Sequence, residues 1–376
     1  MRNLVLIIDG LGYDQILHFS PPNLTKLAQE LGMAPLDTLL AYSSGIYPSL
    51  YTGQYPDQTG FWTEFIKRDT PSAPWTSLFR LLPGKSLPRK VAYVAGRVAK
   101  LLALSAPDNL IPPFLQKWFD RLPVHYENLP PVELDSPRLI TRQFEQAGLR
   151  LEYLHCEHFN SQFTERCIQA APRTDTLIIC LTELDHYGHI FGPLTPTFGE
   201  TLFVLDTAIA SLLADLRATQ PDFKLYALSD HGMTPVTSQF DAWEYLEKAG
   251  FRLGRDYLAF INSTVMSVWY EGGNRAAIVS QLNRSGYGRV LTEAERAKYH
   301  LNFLDHRYGD DLFLAAEGIE FIPNFLSLAW KHNAGMHGYD PACASTHAFL
   351  IGSNQIEALP ADIVGFYNVM TAMCTL

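Results

Sequence analysis

Residues 176–193 read Thr176-Leu177-Ile178-Ile179-Cys180-Leu181-Thr182-Glu183-Leu184-Asp185-His186-Tyr187-Gly188-His189-Ile190-Phe191-Gly192-Pro193. The run opens as a short, continuous apolar segment, as a strand covered on both faces requires. It passes directly into carboxylate and imidazole groups. Residues 4–9, 224–230 and 346–353 are further apolar runs that end in a polar residue or a turn. Between these runs, 23–31 and 203–216 carry apolar residues at helical spacing. Strands alternating with helices predict an α/β fold, a mostly parallel sheet with helices on both faces. Ligands in such folds gather at the carboxyl ends of strands. Asp9, Asp185 and Asp230 fall at three of those ends.

Working outward, the other chemical groups fall near the same ends. Asp9 is followed by Gly10-Leu11-Gly12. Asp185 and His189 stand four residues apart, on a turn that lets both face one metal ion. Ser229-Asp230-His231-Gly232-Met233 sets a carboxylate beside an imidazole. Neighbours in a regular strand point to opposite faces, so this pair shares a metal only where the chain turns. Gly335-Met336-His337-Gly338 adds a histidine in a loop. Ser43-Ser44-Gly45 opens a helix, where free N–H groups bind oxyanions. Each item alone has a plainer reading: a helix cap, an N-terminal serine, a surface histidine. Together, Asp9, Asp185, Asp230, His189, His231, His337 and Ser43 supply two sites of three ligands and a hydroxyl. That is the inventory of a two-metal phosphoryl-transfer site.

Composition limits the alternatives. The 376 residues carry a formal charge of −10 and are 47% hydrophobic. A general nucleic-acid binder would show a basic footprint, and a disordered chain would lack the apolar content. No run of 18 uncharged apolar residues predicts a membrane-spanning helix. The apolar run at residues 4–8 is too short for a signal peptide. The five cysteines form neither a CxxC pair nor a disulfide framework, so a cytoplasmic enzyme is expected.

The sequence resembles the alkaline phosphatase superfamily, nearest to its type I phosphodiesterase/nucleotide pyrophosphatase branch. The resemblance spans nearly the whole chain. It rests on the early Asp-Gly, Pro22-Asn23-Leu24, Thr-Gly-x-Tyr-Pro at 52–56 and Asp-x-x-Gly-His-x-x-Gly-Pro at 185–193. Ser-Asp-His-Gly-Met at 229–233, His337-Gly338, Tyr308-Gly309-Asp310 and Pro323-Asn324-Phe325 extend it. It implies a three-layer sandwich and a metal-dependent phosphoester hydrolase with a small-molecule substrate. Counting nine residues back from Thr52 implies Ser43 as nucleophile, with Ser44 as the fallback; that branch mostly has Thr there. It implies one metal on Asp9, Ser43, Asp230 and His231 and another on Asp185, His189 and His337. Two zinc ions are implied, with manganese as the alternative. The branch often has an Asn three residues after the nucleophile to hold phosphate; here that position is Ile46. Ser44 and Gly45 are then expected to bind the phosphate. Monoesters and phosphonates stay open as substrates beside diesters and pyrophosphates. A sulfatase would need Pro and Arg where Gly45 and Tyr47 stand. A phosphomutase carries different surrounding motifs, and a non-catalytic relative would be expected to have lost ligands.

The chain is read as one catalytic domain, 1–376, with two insertions. Residues 67–135 form a Pro-rich, basic lid or cap, holding ten basic and three acidic residues over 67–121. Within it, 89–104 reads as an amphipathic helix. Packing on the core ranks first for that helix, contact with an anionic substrate second, and contact with an anionic lipid surface last. Residues 236–330 form a second cap.

Overall fold

The computed structural model describes residues 1–70, 134–325 and 332–375, together with 111, 115, 118–122 and 128–130. The expected helix over 89–104 lies outside the described residues. The central sheet has six strands, in the order Met33–Leu36, Ala348–Ile351, Lys224–Leu228, Asn3–Ile8, Thr176–Leu181, Leu151–Cys156. Asn3–Ile8 pairs in parallel with Thr176–Leu181 and with Lys224–Leu228, and Leu151–Cys156 extends the parallel set. Ala348–Ile351 runs antiparallel to both of its neighbours, so the sheet is mixed.

The continuous apolar strands follow from the layers. Val5, Ile7, Ile178, Cys180 and Leu228 face a core that holds the helix Ser43–Thr52, the helix Ile140–Gln146 and the C-terminal helix Phe366–Ala372. Leu4, Leu6, Ile8, Leu177, Ile179 and Leu181 face the opposite core, under the helices Pro22–Leu31, Ser161–Ala170 and Pro196–Thr219. Alternate residues of one strand thus enter different cores, and neither face tolerates a polar stripe.

Pro196–Thr219 is long and apolar enough to cross a bilayer by length and composition. Here Phe198, Leu202, Leu205, Ile209, Leu212 and Leu216 are committed to the core. Its Asp206 is fully buried and accepts N–H groups from Asn23 (3.0 Å) and Leu24 (2.7 Å) and from the Asn23 side-chain amide (2.9 Å). The carboxylate therefore caps the start of Pro22–Leu31 from a distance and complements its dipole. This is the physical content of the Pro-Asn-Leu string. Asp206→Ala leaves these donors unsatisfied and is expected to cost about 3 kcal/mol, read from urea midpoints. An unchanged midpoint would show that water replaces the carboxylate.

Residues 257–315 build a second, antiparallel sheet, in the order Tyr257–Ile261, Val265–Tyr270, Asp311–Ala315, Gly288–Val290. It has its own core, with Phe260, Met266, Val268, Ile278, Leu282 and Phe313.

Candidate active site

The expected ligand groups converge although they come from distant parts of the chain. Asp9 follows the Asn3–Ile8 strand directly, and its backbone N–H continues the ladder to Leu181 O at 2.9 Å. Gly10 has φ +73°, and a Cβ there would lie 2.8 Å from Asp185 Cα, so only glycine lets these two segments approach. Asp230 and His231 follow Lys224–Leu228 where the chain leaves the sheet. His231 Nε2 lies 3.5 Å from Asp9 Oδ1 and 3.4 Å from Asp230 Oδ2.

Asp185 and His189 depart from the expectation in backbone only. Their strand ends at Leu181, and both sit on the helix Glu183–Phe191 rather than on a turn. A spacing of four puts them on one helix face, with His189 Nε2 3.4 Å from Asp185 Oδ1. His337 Nε2 lies 3.7 Å from the same oxygen, and its ring stacks on His231 at 3.7 Å between centroids. The groups form two overlapping clusters, Asp9–Asp230–His231 and Asp185–His231–His337. His231 thus bridges them, while His189 approaches the second through Asp185.

The donor atoms fit divalent cations. Asp9 Oδ1, Asp185 Oδ1 and His231 Nε2 are buried without a hydrogen-bond partner, which is costly unless a charge meets them. Among the described residues, no lysine or arginine pairs with Asp9, Asp185 or Asp230. The other nitrogens of two imidazoles are tied down: His231 Nδ1 to Gly232 O and His189 Nδ1 to Gly335 O, each at 2.9 Å. Such pairing fixes the tautomer and aims Nε2 inward. Burial, with Asp230 and Asp185 nearby, pushes the Asp9 carboxyl well above its ordinary range. Burial opposes ionisation of Asp185 too, but His189, His337 and His231 hold it well below the ordinary value. Burial also opposes the charged form of His189, yet Asp185 raises its value. Burial, helped by His231, keeps His337 well below its ordinary value.

Ser43 opens the helix Ser43–Thr52, and its Oγ lies 3.4 Å from Asp230 Oδ2. The Ser44 hydroxyl is buried and has no hydrogen-bond partner among the described residues. Gly45 N–H donates to Tyr42 O at 2.7 Å, so it already has an acceptor. Ile46 is fully buried in the sheet core. A Cβ on Gly45 would lie 2.3 Å from Trp62 O, a backbone atom. Gly45→Ala must therefore displace the serine-bearing turn, and kcat/KM is expected to fall about 100-fold with cation content retained. Parent-like kinetics would show that the turn accommodates a methyl group.

Two groups beyond the sequence-predicted set support the site. Tyr42, which precedes the Ser43 helix, pairs its hydroxyl with Thr264 Oγ1 at 2.6 Å and accepts Thr264 N–H at 3.0 Å. Thr264 Oγ1 also lies 2.8 Å from Gly338 O, next to His337. Buried Glu320 accepts from Asn333 Nδ2 at 2.7 Å, and Ala334 N–H donates to His189 O at 2.7 Å. Neither has a local sequence signal, because Tyr42 and Thr264 are 222 residues apart and Glu320 reaches Asn333 13 residues on, beyond helical or turn spacing.

The three-layer α/β fold is alkaline-phosphatase-like, with carboxylates, imidazoles and a serine gathered beyond one edge of its central sheet. The profile of the type I phosphodiesterase/nucleotide pyrophosphatase family matches residues 90–340, more than half of the chain. The chain belongs to that family, and it is a hydrolase of phosphoester or pyrophosphate bonds. Asp185, His189, Asp230, His231 and His337 lie inside the matched span; Asp9 and Ser43 precede it. Among solved structures, it is similar to murine ectonucleotide pyrophosphatase/phosphodiesterase 5, at 16% identity and TM-score 0.69, over 100% of this chain and 95% of that one. An inactive variant of that murine protein in complex with AMP matches over the same shares, at 16% identity and TM-score 0.68. The human counterpart matches over the same shares, at 15% identity and TM-score 0.67.

Proposed function

We propose that the chain is a two-cation phosphodiesterase/nucleotide pyrophosphatase that works through a phospho-serine at Ser43. The observation that carries this reading is the Ser43 hydroxyl, 3.4 Å from Asp230 at a helix start, beside two clusters of carboxylate and imidazole groups. Asp9, Asp230, His231 and Ser43 would hold one cation and Asp185, His189 and His337 the other. Zinc suits this mixed imidazole and carboxylate set, and manganese is the alternative. When bound, the cations supply positive charge that favours the serine alkoxide and the anionic transition state.

Ser43 Oγ gives up its proton to solvent and attacks phosphorus in line; the P–O bond to the leaving group breaks as the Ser43 O–P bond forms, and the leaving oxygen takes a proton from solvent. The helix start and the Ser44 hydroxyl hold a non-bridging oxygen. Water then attacks the phospho-serine from the vacated side, releasing the phosphate product and restoring the hydroxyl. A nucleotide-bearing substrate is supported by the murine relative, whose inactive variant was solved with AMP. We read 67–135 and 236–330 as caps on the single catalytic domain. A cytoplasmic location is supported by five free cysteines.

Turnover of bis-p-nitrophenyl phosphate against p-nitrophenyl phosphate, with and without chelator, tests the proposal. Preference for the diester, lost on chelation, is expected. A preference for the monoester, or activity indifferent to chelator, would overturn it.

A further inference from the structure

The helix that carries Ser43 presents a second hydroxyl one turn later. Tyr47 is buried, and its O–H donates to Asp9 Oδ2 at 3.2 Å. Its oxygen lies 3.4 Å from Cys180 Sγ, on the strand next to that of Asp9. Cys180 Sγ therefore backs the hydroxyl that donates to Asp9, and the same thiol also meets Tyr153. The result is a contact chain that joins Cys180 Sγ, the Tyr47 hydroxyl and Asp9 Oδ2. Asp9 Oδ1, the other oxygen of the same carboxylate, has no partner and lies 3.5 Å from His231 Nε2, which also has none.

We propose that Tyr47 is a positioning residue that selects which oxygen of Asp9 meets a cation, and so sets the affinity of the Asp9–Asp230–His231 site. The proposal rests on the two-cation reading above. The tyrosine hydroxyl occupies Oδ2 and turns Oδ1 toward His231 and Asp230. The same helix face puts Ser43 Oγ against Asp230 Oδ2, because residues four apart share a face. One rigid element therefore fixes both the nucleophile and the ligand next to it. Partners of this kind, behind a metal ligand, alter affinity by about 10–100-fold when removed.

The test is zinc titration of the metal-free full chain in competition with a chromophoric chelator, on the parent, Tyr47→Phe and Cys180→Ala. Far-ultraviolet circular dichroism checks that each variant is folded. The parent is expected to bind two zinc ions. In Tyr47→Phe one site weakens about 10–100-fold and the other keeps its affinity. Turnover by this variant recovers as free zinc is raised, which a distorted fold would not do. Cys180→Ala, which removes the thiol behind the hydroxyl, weakens the same site by about three-fold to ten-fold, less than loss of the direct contact. Parent-like affinity at both sites in both variants would overturn the role of Tyr47 while leaving the two-cation reading intact. A parent that binds no zinc would instead overturn the two-cation reading.

Discussion

Ser43→Ala is expected to reduce kcat/KM by about 10⁴–10⁶-fold, roughly 5–8 kcal/mol of transition-state stabilisation. The substitution removes the one oxygen that lies beside Asp230 at the start of the Ser43–Thr52 helix. No neighbour replaces it: Ile46 is buried in the core, and the Tyr47 hydroxyl is engaged with Asp9. Of the adjacent hydroxyls, that of Tyr42 is engaged with Thr264, and that of Ser44 makes no hydrogen bond to the carboxylate–imidazole clusters among the described residues. Asp9, Asp230 and His231 remain, so cation content should stay near the parent value. Steady-state kinetics with metal analysis on the same sample checks both halves. Full activity in Ser43→Ala would move the nucleophile elsewhere; loss of activity together with the metal would make Ser43 chiefly a ligand.

The second large effect is that of removing the cations. Chelation is expected to abolish turnover and to lower thermal stability, because each filled site contributes about 4 kcal/mol at a thousand times its Kd. The pH dependence of cation affinity follows from the site's protonation. In the metal-free protein, Asp9 and His189 both hold protons to higher pH than usual. A cation must displace those protons, so affinity rises with pH and falls on acidification, through a range displaced upward from the ordinary carboxyl and imidazole values. His337 is shifted the opposite way, because burial and His231 disfavour its charged form, so it competes less for protons than His189 does. Isothermal titration with zinc at several pH values reads this directly. Affinity that is flat or rises toward acid would contradict the assignment of Asp9 and His189 as ligands.

The site was legible in sequence wherever a polar group follows an apolar strand. Asp9 and Asp230 stand where their runs predicted, since a buried strand must end before a charge appears. Asp185 does not, because the strand ends with its apolar run at Leu181 and Glu183 already opens a helix, whose start the sequence does not mark off from a turn. Its pairing with His189 survived that error, since a spacing of four aligns side chains on a helix as well. The antiparallel direction of Ala348–Ile351 was not legible either, for an apolar run buried on both faces reads the same in both directions. Tyr47, Thr264, Glu320 and Asp206 were missed for a different reason. Each acts on a segment between 38 and about 220 residues away or through a loop reached only after folding.

The covalent step is the centre of the account, and the stereochemistry at phosphorus tests it most directly. A chiral phosphorothioate diester hydrolysed in heavy-oxygen water should give product with retained configuration, because attack by Ser43 and then by water inverts phosphorus twice. Net inversion would mean a single direct attack by water, and would contradict the phospho-serine mechanism.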